Sequence, residues 1–439
     1  MPARWMWPLS RAVRSLRGKH GKDSREAHFV CALLFWIWMM SLYIGLSFLP
    51  EGDAYFEKLR SEPIVTSRIS FSFLPSDPSR SSLDSCTYHG VPGRVLRQVS
   101  AQPCVQIVLA AEDAYLNPLL AAINSIRMYT ERSLYLHVIV GRGETSFFRD
   151  RVSFLNRVNL SSPIHFEVIE LNEARVSSLV KVWSGKQRLE SPLNFIRFFL
   201  PELLPGINRV VYLDPDTLAV SDVGDLFDFL DTRRNSTHFL AAVAANQFRK
   251  NENYYNWILN CKSEYIKAII PSCRDHFFNA GVFVTELDGW RGANITRTLE
   301  AYMRVNLRTR LWRWGSQAPL ALAFYRRWIP LDKEWNFRRV STYLKRGYKA
   351  HQVVTPPRKL LHFTGRWKPW EKSERQMHTL WCTYFPYPEE YSFCAGAELF
   401  TFPLLGPDDI ELGREEVGEE GPAPDGTNEE GKEEGLDGA

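Results

Sequence analysis

Apolar residues recur along this chain in short runs separated by stretches of helical spacing. Residues 105–110, 134–140 and 164–169 are compact apolar segments bounded by polar ones, the pattern of buried strands. After the first, Glu112-Asp113-Ala114-Tyr115 reads as a loop, and Asn117-Pro118 as a capping residue followed by proline at the first helical position. Leu119, Leu120, Ile123 and Ile126 then recur at the spacing of one helix face. Residues 148–158 suit a second helix. This strand–helix rhythm predicts an α/β fold with a mainly parallel sheet and helices on its faces. Such sheets bind ligands beyond the carboxyl ends of their strands.

The pattern continues with Ser191-Pro192 as the cap of a helix over 193–203, in which Phe195, Phe198 and Phe199 cluster inward. Arg197 among them reads as a snorkelling surface residue unless the helix aims it at a phosphate. Residues 210–213, VVYL, make the next strand and end in Asp214 and Asp216, held apart by Pro215. In extended chain, residues two apart point the same way, and proline favours extension of the residue before it. Two acids converging at a strand end are half of a site for a hard divalent cation, against the plainer reading of a surface turn. A further strand over 239–245 closes at Asn246, and the polar-aromatic segment 251–270 between two cysteines reads as a mobile lid. Asn279 precedes Ala280 and Gly281, small residues that let backbone approach a ligand closely, and then a strand follows. Residues 312–324 read as a helix containing Gln317, and 360–370 combine a short apolar run with His362, Gly365 and Lys368.

Composition adds topology. The chain has 439 residues, 45% hydrophobic, enough for a substantial core. Its net charge of +4 conceals a split: residues 408–439 hold 13 acids against 2 bases, so the tail carries −11 and the remainder +15. The tail is too poor in large apolar residues to offset its chain entropy and reads as disordered. A basic remainder suits a membrane face or an anionic nucleotide diphosphate; the bases are scattered, which disfavours nucleic acid. Residues 27–49 are 23 in a row without a charge, preceded by a strongly basic segment. The positive-inside bias then predicts a signal anchor with the larger part lumenal, a cleaved signal peptide being the alternative. The expected layout is a cytoplasmic tail over 1–26, an anchor over 27–49, a stem over 50–103, one lumenal domain over 104–400 and a disordered tail over 401–439. Cys31 falls in the anchor; the other six cysteines are free to oxidise in a lumen, with 15 possible pairings. Sequons at Asn159, Asn235 and Asn294 are compatible with that compartment.

Taken together, these motifs resemble glycosyltransferase family 8. Glu112-Asp113-Ala114-Tyr115 is similar to the uridine-binding loop of glycogenins, and LNFIRFFLP followed by VVYLDPDT to the galacturonosyltransferase and "glycosyltransferase 8 domain-containing" branch. FNAGV over 278–282 and HFTGRWKPW over 362–370 resemble the family's Asn-Ala/Ser-Gly and C-terminal His-x-x-Gly-x-x-Lys-Pro-Trp signatures. The resemblance implies a retaining enzyme of the GT-A, Rossmann-like fold: a mixed, mainly parallel sheet with helices on both faces, in a single domain. It implies a UDP-sugar donor, a glycan or other glycoconjugate acceptor, Mn²⁺ (or Mg²⁺) and a single-pass Golgi anchor. Carried over residue by residue, Asp214, Asp216 and His362 match the metal ligands, and oxygen and imidazole donors suit Mn²⁺. Lys368 and Gly365 match β-phosphate contacts, Arg197 a donor contact, Asn279 a donor-sugar contact, and Gln317 the glutamine beneath the anomeric carbon. Asp113, Tyr115, Asn246 and Ala280 complete the implied donor site. Retention without a carboxylate nucleophile resembles front-side attack within an ion pair.

Two departures bear on the sugar. Ser316-Gln317 stands where the family often has Asp-Gln, and Asn246 where it often has Asp. They keep open a catalytically silent nucleotide-sugar-binding protein. The other rival, a haloacid-dehalogenase-type phosphatase, also places Asp-x-Asp after an apolar strand. It favours Thr or Val where this chain has Leu218, however, and puts its motif on the first strand.

Overall fold

The computed structural model describes residues 52–73, 104–151, 164–183, 189–245, 254–312, 315–355, 358–365, 367–371 and 375–394. The anchor over 27–49, most of the expected stem, the acidic tail, Asn159 and Asn246 lie outside the described residues. Among the described residues no helix is long and apolar enough to cross a membrane. The chain divides into two units, Met1–Pro63 and Ile64–Ala439. The described part of the first contains the helix Gly52–Ser61.

The second unit is built from eleven described strands: β1 (Val65–Phe73), β2 (Val105–Ala111), β3 (Leu134–Val140), β4 (Ile164–Leu171), β5 (Arg209–Leu213), β6 (Thr217–Ala219), β7 (Leu240–Ala244), β8 (Phe278–Glu286), β9 (Ile329–Leu331), β10 (Phe337–Arg338) and β11 (Leu360–His362). Eight form one sheet in the order β1-β4-β3-β2-β5-β8-β7-β9. Its centre, β4-β3-β2-β5, is parallel, as the alternating rhythm predicts. β8 runs antiparallel to both β5 and β7, and β9 parallel to β7, which gives the mixed, mainly parallel sheet of a GT-A-like α/β fold. Every residue of β2 and β3 is buried because both faces of the sheet are covered. On one face Leu119, Leu120, Ile123 and Ile126 pack with Ile107, Leu109, Val211 and Leu213. On the other, Tyr212 stacks on Phe283 at 5.0 Å, and the Arg197 guanidinium lies 4.6 Å from the Tyr212 ring centre.

A second sheet, β10-β11-β6, sits where the site forms. β6 runs antiparallel to β11 and pairs Thr217 with His362, while β10 runs parallel to β11 and pairs Arg338 with His362.

Several local expectations change. Residues 65–73, placed in the stem, are an edge strand paired antiparallel with β4. Thr66, Ser67, Ser70 and Ser72 give the segment a linker's composition, but an edge strand tolerates polar residues well. The helix expected over 193–203 is a 3₁₀ segment, Pro192–Phe198, followed by a single α-turn, Leu200–Leu203. Pro201 has no N–H to donate to the Arg197 carbonyl, so a continuous α-helix cannot run through it. The helix near 148 is Thr145–Arg151, and the rest of that prediction falls outside the described residues. Trp312 is not in the Gln317 helix, which spans Gln317–Ala323; it bridges to Leu259 instead. The described part of the expected lid holds two short helices, Tyr255–Ile258 and Glu264–Ile269, with Tyr255 and Ile266 fully buried, Trp257 exposed and a Cys261–Cys273 disulfide. A second disulfide joins Cys382 to Cys394, and Cys104 is also disulfide-bonded.

Candidate active site

The end of β5 organises the site. The Asp214 N–H still donates to Gly281 O at 2.7 Å, continuing the β5–β8 ladder by one rung. The chain then turns: Thr217 Oγ1 donates to Asp214 O at 2.8 Å, and Phe363 N donates to Asp216 O at 2.9 Å. Asp214 and Asp216 therefore converge through a tight turn rather than through the alternation of an extended strand. Pro215, whose fixed φ suits a turn, stands between them. The same turn starts β6, and its pairing with β11 delivers His362.

Asp214, Asp216 and His362 form the cluster so assembled, with one ligand atom from each within 4.8 Å of the others. His362 Nε2 lies 3.1 Å from Asp216 Oδ1 and 3.8 Å from Asp214 Oδ2. Two carboxylate oxygens and an imidazole nitrogen, converging from two strand ends, fit a divalent ion of the Mn²⁺ type. Gly281 makes the convergence possible. A β-carbon there would collide with Asp214 Oδ2 and the His362 ring.

Two buried cations flank the diacid. Lys368 Nζ donates to Asp216 Oδ2 at 2.6 Å and to Phe363 O at 2.7 Å. Arg197 donates through one terminal nitrogen to Asp214 Oδ1 at 2.8 Å and through the other to Ala280 O at 2.5 Å. Arg197 is thus no snorkelling surface residue; it is aimed at the diacid. Burial disfavours the Asp216 charge, but Lys368 and His362 overcome it and hold the carboxyl well below the usual carboxylate range. Burial likewise disfavours the Lys368 ammonium, and contact with Asp216 outweighs it, so its pKa is raised. The same balance, with Asp214 as the principal partner, raises Arg197. All three groups are fixed in their charged forms.

The remaining predicted residues divide. Asn279 and Ala280 lie on β8 beside the cluster: Asn279 Oδ1 accepts from Gly281 N at 3.1 Å and from Asn336 Nδ2 at 2.8 Å. Gln317 grips the same strand, accepting from Ala280 N at 2.8 Å and donating to Phe278 O at 2.5 Å. Its amide oxygen, expected to face a sugar, already holds the main chain. Tyr115 meets Trp370 edge-on at 5.6 Å, and Lys368 Nζ is 5.7 Å from each ring centre, so the two aromatics box in the lysine. Gly365 has φ +97°, a left-handed backbone that glycine adopts without strain. Ser316, the departure from the family pattern, is buried next to Gln317. The Asp113 side chain and Asn246 lie outside the described residues.

The sequence reading missed Asn336. It is fully buried, and its Oδ1 lies 2.8 Å from His362 Nδ1. It follows Trp335 in a one-turn helix, Lys333–Asn336, with no motif to mark it. The reading also missed Tyr212, which lies beneath the Arg197 guanidinium; its burial in the strand core gave no sign of that role.

Residues 106–374 match the family model described as glycosyl transferase family 8. The chain is 29% identical over 296 residues to glycosyltransferase 8 domain-containing protein 1 of Homo sapiens, covering 65% of this chain and 76% of that protein. Its counterpart in Bos taurus is 30% identical over 283 residues, covering 61% and 74%. Glycosyltransferase 8 domain-containing protein 2 of Homo sapiens is 26% identical over 280 residues, covering 61% and 78%. Among solved structures, the galactosyltransferase LgtC in complex with donor and acceptor sugar analogues aligns with TM-score 0.47 and 19% identity, over 68% of this chain and 98% of that one.

Proposed function

The chain belongs to glycosyl transferase family 8 and is a glycosyltransferase; from that premise we propose that it moves a sugar from a UDP-sugar to a glycan or glycoconjugate acceptor, with retention and dependence on Mn²⁺. The observation that carries the reading is the convergence of Asp214, Asp216 and His362 between two buried cations, Lys368 and Arg197. The family assignment answers the phosphatase reading, whose motif belongs on a first strand; here the diacid follows β5.

Asp214, Asp216 and His362 would hold the ion. When bound, it supplies positive charge that stabilises the diphosphate as the glycosidic bond breaks. Lys368 offers a second, fixed charge, strongest in effect where negative charge accumulates on the leaving group. Arg197 holds Asp214 and ties it to the Ala280 carbonyl, bridging the β5–β8 junction. Gln317 locks the Phe278–Ala280 segment that presents Asn279 and retains a lone pair on its amide oxygen for a developing sugar cation. We further propose a Golgi membrane location, with residues 27–49 as a single-pass anchor and this domain in the lumen.

The test is UDP release by the full-length chain from a panel of UDP-sugars, with Mn²⁺ and with chelator. The reading expects at least one donor to be consumed with Mn²⁺ only, and Asp214→Asn to abolish this. Consumption that survives chelation would overturn it.

A further inference from the structure

Asn336 sits between the metal ligand and the residue expected to meet the donor sugar, and the direction of every hydrogen bond in this relay is set by one backbone group. The Gly281 N–H is a donor that cannot be flipped, and Asn279 Oδ1 accepts it at 3.1 Å. That orients the Asn279 amide. Its oxygen then faces Asn336 at 2.8 Å, so Asn336 must present its own NH₂ group there. The Asn336 oxygen is left facing His362 Nδ1 at 2.8 Å. An acceptor at Nδ1 keeps the ring proton on that nitrogen. His362 Nε2 donates to Asp216 Oδ1 at 3.1 Å until a cation takes the place of that proton; with Nδ1 keeping its own, Nε2 then meets the cation with a lone pair.

We propose that Asn336 is a positioning residue for metal binding: it fixes the tautomer and orientation of His362 and links them to the orientation of Asn279. The place in the fold supports this. Asn336 is the last residue before β10, whose Arg338 pairs with His362 in register, so the relay is anchored by the sheet that carries the histidine. With its oxygen taken by two donors, Asn279 offers N–H rather than C=O to a donor sugar. A sugar hydroxyl would therefore be met as an acceptor. The inference rests on the reading of Asp214, Asp216 and His362 as ligands, but not on any transfer activity.

Two variants separate positioning from packing. Asn336→Leu keeps the branching at Cγ and removes both hydrogen bonds. Asn336→Asp keeps an acceptor toward His362 Nδ1, as in the carboxylate–histidine pairs that support metal ligands, and loses the donor toward Asn279. Mn²⁺ binding to the metal-free, full-length chain is measured by calorimetry, with melting curves alongside. Asn336→Leu is expected to bind Mn²⁺ on the order of 10–100-fold more weakly. Asn336→Asp is expected to stay within about threefold of wild type or to bind more tightly, even though a buried extra carboxylate lowers its melting temperature. A packing role predicts that affinity follows stability in both variants. Equal losses of Mn²⁺ affinity in the two, or no loss in Asn336→Leu, would overturn the assignment. Failure of the wild-type chain to bind Mn²⁺ would overturn it together with the metal site itself.

Discussion

Gly281→Ala tests the proposed metal cluster apart from the fold. The position is in the middle of β8, its backbone has no left-handed φ, and alanine is sterically acceptable to the chain itself. The added methyl, however, would occupy the point where Asp214 Oδ2 and the His362 ring come together. Forcing a methyl into a close-packed site costs about 1–3 kcal/mol, while replacing glycine stiffens the unfolded chain and returns about 0.4–1 kcal/mol. The net loss of stability is thus at most about 2.6 kcal/mol. The ligands have to separate, and a disturbance of that kind costs on the order of 10–100-fold in metal affinity. Gly365→Ala is the matched control: its added methyl meets nothing within 4 Å, but its φ of +97° strains any other residue. That variant should lose stability of about 1–2 kcal/mol and keep its Mn²⁺ affinity. Calorimetric Mn²⁺ titration and thermal melts of both variants make the comparison. Wild-type Mn²⁺ affinity in Gly281→Ala would refute the claim that these two residues close on an ion.

Three further outcomes are expected. Lys368→Met should lower turnover by on the order of tenfold or more, with no recovery at high Mn²⁺, whereas His362→Gln should recover in part; activity titrated against Mn²⁺ distinguishes them. Glu167, buried against His137 and Arg68, has its carboxyl pKa lowered because those partners outweigh the penalty of burial. Its contribution is therefore present above the unfolded carboxyl pKa of about 4.3 and lost as pH falls through the depressed folded value. Melting temperatures of wild type and Glu167→Gln should differ widely at pH 7, by a destabilisation of about 3–5 kcal/mol, and converge in acid. Replacing Cys382 and Cys394 by serine removes a clasp spanning 12 residues beside the Trp381 aromatic cluster. A loss of about 2–3 kcal/mol should follow, read by denaturant unfolding.

What the sequence made legible follows the range of the interactions concerned. β2 and β3 are buried on both faces, so all but one residue in each is apolar and the runs are visible without context; β4 shows the same run less cleanly, with His165, Glu167 and Glu170 interrupting it. The diacid announced itself because a strand stops there. The 3₁₀ geometry at 192–198 was missed although Pro201 was in view, since the aromatic spacing alone suits a longer helix. β1 was missed because an edge strand need not look hydrophobic, and its pairing partner lies about 100 residues away. Arg197 could be read two ways until Asp214 was seen at 2.8 Å. Gln317 was expected within a helix and is the first residue of a shorter one, and its grip on the β8 main chain depends on a contact 37 residues distant. Asn336 carried no local signal at all: its role arises from His362 and Asn279, which the fold brings to it from opposite sides in sequence.

The central claim is that this diacid–histidine cluster serves a nucleotide diphosphate through a divalent ion. UDP binding to the wild-type, full-length chain tests it most directly, because UDP carries no sugar and the answer does not depend on which donor is native. Titrated calorimetrically with Mn²⁺ present, UDP should bind at least about tenfold more tightly than after chelation, a difference of about 1.4 kcal/mol. UDP affinity that is the same with Mn²⁺ and with chelator would contradict the account.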